Sequence, residues 1–223
     1  MINIEEQRKL LVVISEKIPK RMVVYAIGGT AMMLLGLKAE TKDIDLIFQS
    51  EKDRQLFKQI AHSLGYKETD AKVIYSNRKD MPILIRLEQA HIDLFLPNVL
   101  GVKFSNEMMK RAEQIHEFGY NLIIRPADIH DIIIMKSATS RIKDEEDILT
   151  LLQNKNIDWN ILIGEAENQI KLGNEKAVLN LGYLLKKLSS KGKFFVPSEV
   201  LDSLWKTLKK QSKEKSKNDI LKL

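Results

Sequence analysis

The sequence predicts an α+β (α/β) fold that ends in a C-terminal helical bundle. Two observations support this fold class. Up to about residue 124, short apolar runs rich in β-branched residues alternate with apolar stripes at helical spacing. From Ile157 onward only helical patterns remain, and Gly, Ser and Pro separate them. We therefore expect a first domain over residues 1–104 and a mainly helical second domain over residues 105–223.

The first domain is predicted to contain helices and strands in alternation. Pro19 breaks the first helix, Ser50 caps the third, and Gly65 ends it. The predicted elements are a helix over 3–18, a strand over 22–27, a helix core over 31–35, a strand over 43–48, a helix over 50–64, an irregular or extended segment over 66–75, and a hairpin over 83–87 and 91–96.

The remaining elements are predicted to be mostly helices. A connection over 97–107 leads into a helix over 105–117, a short strand over 120–124 and a helix that opens at Arg125-Pro126. Three further helices are expected over 158–171, 175–189 and 198–210, and the tail over 209–218 is expected to fray.

Composition narrows the class of protein. The 223 residues include no cysteine, which excludes disulfides and thiolate metal sites, and no apolar run of 18 residues that would predict a membrane span. A cytoplasmic location is the resulting expectation. The net charge is +6, and residues 155–223 account for all of it with 14 lysines against 8 acidic residues. This asymmetry favours an anionic partner such as RNA, and a solvated lysine-rich helical face is the alternative.

The most informative stretch runs from Ile27 to Phe48 and reads IGGTAMMLLGLKAETKDIDLIF. Asp43 and Asp45 are two residues apart on a predicted strand, so their side chains point to one face. Two neighbouring carboxylates are costly unless a cation lies between them, and Mg²⁺ prefers such oxygen ligands. The Gly28-Gly29 turn can bring backbone N–H groups close to an anion. The stretch therefore predicts phosphoryl or nucleotidyl transfer, and a glycine turn beside a solvated acidic strand end is the alternative.

A third carboxylate lies in the predicted hairpin. Asp93 alternates with apolar Ile92 and Leu94, and an acid inside an apolar strand is costly unless it is paired or metal-bound. A strand that places Asp93 beside Asp43 and Asp45 would complete a three-carboxylate site. His91 shares the face of Asp93. It could contact the site, and we favour the interpretation as a surface histidine.

Gly28-Gly29-Thr30, a helix-length spacer, Thr41 and Asp43-x-Asp45 together resemble the nucleotidyltransferase superfamily typified by DNA polymerase β. The nearest resemblance is to small prokaryotic nucleotidyltransferases of the abortive-infection and toxin–antitoxin type, which often carry an arginine where this chain has Ala39. The resemblance covers roughly residues 22–152. It implies the nucleotidyltransferase fold, a small mixed sheet flanked by helices.

The resemblance also implies roles for these residues. Asp43, Asp45 and Asp93 would be catalytic and would bind two Mg²⁺ or Mn²⁺ ions. Gly28, Gly29 and Thr30 would bind the triphosphate of an NTP such as ATP, with Thr41 in support.

The stretch Ala127–Leu152 resembles the segment that follows the catalytic domain in the same proteins. Lys136, in an otherwise apolar helical run, would reach the β- and γ-phosphates, Arg141 would help it, and Asp144 would orient the lysine. Residues 105–152 would thus complete the active site, and residues 153–223 would form a basic helical region. The alternative is that Lys136 extends to solvent and Asp144 caps a helix.

The sequence does not determine which molecule accepts the nucleoside monophosphate. An RNA 3′ end such as that of tRNA fits the basic C-terminal third, a protein hydroxyl or a cognate toxin or antitoxin fits the resemblance, and a small molecule such as an aminoglycoside would favour an acidic pocket. No membrane partner is expected. A protein of another class, which binds nucleotide or a partner without turnover, is the alternative to an enzyme.

Overall fold

The computed structural model describes residues 1–75, 79–139 and 141–220, with side chains through residue 210. The chain divides into two compact units. The first unit contains residues 1–100 and 104–128, and the second contains residues 101–103 and the residues from 129 onward. None of the helices in the described ranges has the length and apolar character needed to cross a membrane.

The secondary structure of the described residues alternates between strands and helices before it becomes helical. The strands are β1 (Ile2–Asn3), β2 (Met22–Ala26), β3 (Glu40–Thr41), β4 (Ile44–Phe48), β5 (Lys67–Thr69), β6 (Ile83–Leu87), β7 (Ala90–Phe95), β8 (Asn98–Val99), β9 (Val102–Lys103), β10 (His116–Phe118) and β11 (Leu122–Pro126). The helices are α1 (Ile4–Ser15), α2 (Gly28–Leu34), α3 (Glu51–Ser63), α4 (Lys72–Tyr75), α5 (Asn106–Arg111), α6 (Ile129–Ser137), α7 (Ile142–Asn154), α8 (Trp159–Lys171), α9 (Glu175–Ser190) and α10 (Ser198–Ile220).

A mixed sheet forms the centre of the first unit. Its seven strands lie in the order β10-β11-β2-β4-β7-β6-β5. The pairs β11–β2 and β4–β7 are parallel, and the other four pairs are antiparallel. Helices α1, α2 and α3 contact this sheet, and in the second unit α6 to α10 pack on one another. This arrangement confirms the predicted α+β fold, with a mixed sheet flanked by helices and followed by C-terminal helices.

Local sequence signals set several helix starts. The Asn3 side chain accepts hydrogen bonds from the backbone N–H groups of Glu5 and Glu6, and the Glu6 carboxylate accepts one from the Asn3 N–H, which completes a capping box. The Ser50 hydroxyl accepts a hydrogen bond from the Asp53 N–H and caps α3 as predicted. These contacts satisfy N–H groups that a helix leaves without partners in its first turn.

Several boundaries differ from the sequence prediction. Gly28 and Gly29, predicted as a turn, begin α2, and the helix predicted over 3–18 ends at Ser15. The helix predicted over 105–117 ends at Arg111, and His116–Phe118 instead forms an edge strand that pairs with β11 and buries Phe118. Arg125-Pro126 ends β11 rather than opening a helix, because a residue before proline favours extended backbone. The segment over 66–75 contains a short strand and the short helix α4. Helix α10 runs to Ile220, through the tail that was expected to fray.

The two central strands of the sheet are buried on both faces. Ile44, Leu46, Ile92 and Leu94 have no exposed surface, and the intervening Asp93 is only 1% exposed. Strands covered on both faces read as continuous apolar runs, so a charged residue within one is conspicuous. The fold therefore places Asp93 in the interior of the sheet.

We expect Phe48→Ala to destabilise the protein by about 3–5 kcal/mol, because Phe48 is fully buried on β4 and packs on Phe57 with ring centroids 5.2 Å apart. Urea denaturation followed by circular dichroism measures this loss. Phe195→Ala is the matched control, since that side chain is 80% exposed and its removal should change stability by less than about 0.5 kcal/mol. Equal losses in the two variants would contradict the assigned core.

Candidate active site

The parallel pairing of β4 and β7 brings two of the three aspartates together. Asp45 lies directly beside Asp93 in the register of these strands, and Asp43 immediately precedes β4. The Asp43 carboxylate contacts His91, with 3.2 Å between Oδ1 and Nδ1. His91 therefore belongs to the carboxylate cluster, which corrects its interpretation as a surface histidine.

Arg86, on the neighbouring strand β6, lies between two of the carboxylates. Its Nη1 is 2.7 Å from Asp93 Oδ1, and its Nη2 is 4.0 Å from Asp43 Oδ1. Nη1 donates its hydrogen bonds to the carbonyls of Ile85 and Ile92 at 3.0 and 3.1 Å, so the contact with Asp93 is ionic. Asp93 Oδ1 and Arg86 Nη2 are both buried without a hydrogen bond. The Arg86 charge compensates Asp93 Oδ1 at 2.7 Å, whereas Arg86 Nη2 is a buried donor left without a hydrogen bond, a feature that catalytic sites can carry.

Tyr75, at the end of α4, covers the same cluster. Its hydroxyl donates a hydrogen bond to Asp93 Oδ2 at 2.7 Å. Burial raises the pKa of Tyr75 far above its usual value, and the negative charges of Asp93, Asp45 and Asp43 raise it further. The Tyr75 hydroxyl therefore stays protonated and donates its hydrogen bond, and the charges of all three carboxylates favour this state.

Burial also raises the pKa of Asp93 above its usual value. The Arg86 charge and the Tyr75 hydrogen bond oppose this rise, and the nearby Asp43 charge adds to it. A carboxylate with a raised pKa binds a proton more readily than an ordinary aspartate does.

The donor chemistry of this cluster suits a hard divalent cation. Carboxylate oxygens on adjacent strands are ligands that Mg²⁺ and Mn²⁺ prefer. In the described part of the chain, no three His, Cys, Asp or Glu side chains already converge on one point as metal ligands. Arg86 supplies the positive charge within the cluster instead.

The two glycines make close approach to the aspartates possible. Gly28 has a φ of +58°, and a Cβ there would lie 2.8 Å from Asp45 Oδ2. A Cβ on Gly29 would overlap the Thr41 hydroxyl and lie 3.2 Å from Thr41 Cβ. Any other residue type at position 28 would be strained and would push Asp45 away.

Thr30 ties the start of α2 to the aspartate strand. It is fully buried, and its hydroxyl donates to the Asp43 carbonyl at 3.2 Å and accepts from the Asp45 N–H at 2.9 Å. The hydroxyl therefore fixes the backbone that carries both carboxylates. Thr41, also buried, fills the space that Gly29 leaves open.

A second group of predicted residues lies in the second unit. Lys136 on α6 is 7% exposed, and its Nζ donates to Asp144 Oδ1 at 2.9 Å and to Asp147 Oδ2 at 2.7 Å. Arg141 Nε donates to Asp144 Oδ2 at 2.6 Å, and the Thr139 hydroxyl donates to the same oxygen. Asp144 thus orients both predicted triphosphate-binding cations.

A cavity of about 150 Å³ opens beside this group. Three cationic side chains line it, namely Lys136, Arg141 and Lys187, together with Asn180 and the carboxylates of Asp144 and Glu145. Lys187 donates to Glu145 at 2.6 Å. Long cationic side chains line the cavity together with the carboxylates that pair with them. This arrangement is suited to a small anionic group.

Three residues of the first cluster were not predicted as site residues from the sequence. Arg86 carries the same signal as Asp93, a charge within an apolar strand, and could have been found that way. His91 was noted but interpreted as exposed. Tyr75 gives no local signal, because only the folded chain brings α4 to β7.

Residues 1–186 match the model of a family described as "Nucleotidyltransferase of unknown function (DUF6036)". The chain belongs to this nucleotidyltransferase family. No curated protein matches the chain significantly. The family match confirms the predicted nucleotidyltransferase resemblance at the level of the superfamily, and it spans both the carboxylate cluster and the Lys136 group.

Gly28→Ala should cost more stability than Gly36→Ala. Both residues have positive φ, +58° and +71°, so each alanine costs about 1–2 kcal/mol, but only at position 28 does the new methyl group overlap Asp45. A Cβ at Gly36 meets nothing within 4 Å. Urea denaturation of the two variants isolates the clash, and equal losses would contradict the close packing of Gly28 on Asp45.

Asp144→Asn should destabilise the protein by about 2 kcal/mol or more at pH 7, because it removes a buried charge that accepts hydrogen bonds from Lys136, Arg141 and Thr139. Burial raises the pKa of Asp144, but the Lys136 charge and these hydrogen bonds lower it by more. The pKa of Asp144 therefore lies below its usual value of 3.8. A lowered folded pKa stabilises the protein above the unfolded pKa, and this stabilisation is lost as pH falls through the folded pKa.

The difference between wild type and Asp144→Asn should therefore shrink as pH falls below about 4. Urea denaturation at neutral and acidic pH measures it. Glu146→Gln is the control, since Glu146 lies on the exposed face of the same helix. A difference that does not change with pH would show that Asp144 is not the titrating group.

Proposed function

We propose that this protein is a metal-dependent nucleotidyltransferase that moves a nucleoside monophosphate from an NTP to the 3′ hydroxyl of an RNA. The observation that carries the proposal is the register of β4 and β7, which places Asp45 beside Asp93 with Asp43 next to them. Family membership supports the reaction class. The acceptor is inferred from charge, as argued below.

Asp43, Asp45 and Asp93 are the residues assigned to two Mg²⁺ or Mn²⁺ ions. When bound, such ions neutralise phosphate charge and lower the pKa of the attacking hydroxyl. Tyr75 and Arg86 hold Asp93 in place from two sides, at 2.7 Å each. Positioning of this kind supplies much of the catalysis in phosphoryl transfer.

The reaction itself is a substitution at the α-phosphorus. The acceptor oxygen forms a bond to that phosphorus, the bond to the bridging oxygen of the β-phosphate breaks, and pyrophosphate leaves. We assign the proton of the acceptor hydroxyl to Asp93 Oδ1. Its carboxyl group is buried beside Asp45, and burial raises its pKa, although the Arg86 charge at 2.7 Å from Oδ1 opposes the rise.

The triphosphate is assigned to the Gly28-Gly29 backbone, which has no side chain to keep an anion away. Thr30 contributes indirectly, because its hydroxyl holds the backbone of Asp43 and Asp45. Within the second unit, Lys136 and Arg141 are proposed as phosphate-binding cations, with Asp144 orienting both. The cationic cavity beside Lys136 supports this assignment.

The RNA acceptor follows from the distribution of charge. Residues 155–223 hold 14 lysines against 8 acidic residues, whereas the rest of the chain is balanced. A basic region raises the local concentration of a polyanionic substrate. A protein hydroxyl, including that of a cognate toxin or antitoxin, has no comparable feature in its favour and is an outcome of the experiment below.

Asp45→Asn and Asp93→Asn should each lower nucleotide transfer about a hundredfold or more, since each removes a charge from the reacting centre. The assay incubates purified protein with Mg²⁺ or Mn²⁺ and each α-labelled NTP, with total RNA and a soluble protein extract as separate acceptors. Asp158→Asn is the matched control, because Asp158 is an exposed helix cap and asparagine caps equally well.

Label on RNA from wild type and the control alone would support the proposal. Label on a protein band with the same dependence on Asp45 and Asp93 would replace the RNA acceptor with a protein one. Transfer by Asp45→Asn at the wild-type rate would overturn the site. Mg²⁺-dependent NTP binding without transfer to either acceptor would favour a nucleotide-binding protein without turnover.

A further inference from the structure

An open groove of about 1020 Å³ lies between α9 and α10 of the second unit. We call it the lysine–aromatic groove. Apolar and aromatic side chains form part of its wall and lysines form much of the remainder: Leu179, Tyr183, Trp205, Lys206, Lys209 and Lys210. Asp202 also lines it. The groove therefore combines flat aromatic surface with an excess of positive charge.

Two packed aromatic rings form the aromatic part of the groove. Tyr183 is 60% exposed, and its ring meets Trp205 edge to face with centroids 5.3 Å apart. Trp205 lies directly against the backbone of α9 at Gly182, where a Cβ would be 3.0 Å from the indole Cη2. Glycine inside a helix costs about 1 kcal/mol relative to alanine. Gly182 therefore gives up helix stability at the position that lets the six-membered ring of Trp205 approach α9 closely.

The charged part follows one face of α10. Lys206, Lys209 and Lys210 are spaced three and four residues apart, so their side chains share a face. Among the described residues that line the groove, Asp202 is the one acid. Lysine ammonium groups bind phosphates as point charges with little sequence preference, and residues 155–223 contain no arginine. The groove is thus suited to a phosphate backbone rather than to specific bases.

We propose that the lysine–aromatic groove binds single-stranded RNA. Bases would stack on Tyr183 and Trp205 while phosphates contact the lysines, which is how single strands are bound without sequence preference. A second copy of the chain is disfavoured, because pairing two such faces would bring like charges together. The family match ends at residue 186, so Trp205 and the three lysines lie beyond it.

The role of the bound RNA as acceptor rests on the proposed function, but the binding of RNA by the groove does not. Binding is therefore measured without NTP or divalent metal. If the groove binds RNA and the protein transfers nothing, the proposed function fails alone. If the protein transfers label to RNA and the groove variants bind RNA as wild type does, the groove proposal fails alone.

The experiment follows the fluorescence anisotropy of a short labelled single-stranded RNA of mixed sequence. Tyr183→Ala should weaken binding about tenfold, the loss expected for one stacked base. Lys206→Ala/Lys209→Ala should reduce the slope of log affinity against log salt by about 1.4 between about 50 and 200 mM, since each contact with a single-strand phosphate contributes about 0.7. Tyr183 is preferred to Trp205 because its side chain is 60% exposed and its removal leaves the core intact.

Each variant has a matched control. Tyr120→Ala removes a tyrosine that is 97% exposed in the first unit, and Lys191→Ala/Lys193→Ala removes two exposed lysines of the second unit that do not line the groove. Circular dichroism confirms that all four variants fold. Binding that falls equally in groove and control variants would overturn the proposal, as would a concentration-dependent dimer that Tyr183→Ala dissociates.

Discussion

The parallel pairing of β4 and β7 is the constraint on which the rest of the first unit depends. It places Asp45 beside Asp93 in strands that are covered on both faces, and a carboxylate there is stable only with compensation. Arg86 and Tyr75 supply it from β6 and α4. The compensation is incomplete, because Arg86 Nη2 is buried without a hydrogen bond and its nearest carboxylate, that of Asp43, is 4.0 Å away. A buried polar cluster with groups left unsatisfied has free energy to gain from a ligand, which is why a cost to folding here is consistent with a functional site.

The glycine and aspartate motif can also be understood as a packing unit. Gly28 has no Cβ because Asp45 occupies that space, and Thr30 holds the backbone on both sides of Ile44. Residues that are read in the sequence as a phosphate-binding turn and a metal-binding pair are therefore in mutual contact. The short spacer between them is the length of α2 and its return to β4. A change in one part of the motif would move the other, so the spacing of the motif carries structural as well as chemical information.

Much of the fold could be predicted from the sequence, because its signals are local. Apolar periodicity indicated the principal helices and strands, and Ser50 and the glycines marked their ends. The sequence could not show that residues 116–118 form an edge strand, since that depends on pairing with β11. The same division applies to the candidate site. Asp43, Asp45 and Asp93 stand out within apolar runs, whereas the role of Tyr75 depends on a contact across 18 residues of chain.

The Lys136 group shows how burial changes the meaning of a charge. In the sequence, a lysine within an apolar helix suggests either a ligand-binding cation or a side chain that extends to solvent. In the structure it does not extend to solvent, because Asp144 and Asp147 accept its hydrogen bonds within the second unit. Removing one partner of a buried pair leaves the other uncompensated, so the loss of Lys136 would affect folding as well as any binding. Arg141 is different, because its side chain is 62% exposed and yet is anchored to the same Asp144. Of the two cations, Arg141 can contact an anion without first breaking a buried pair. Its ion pair with Asp144 fixes the position of its guanidinium group.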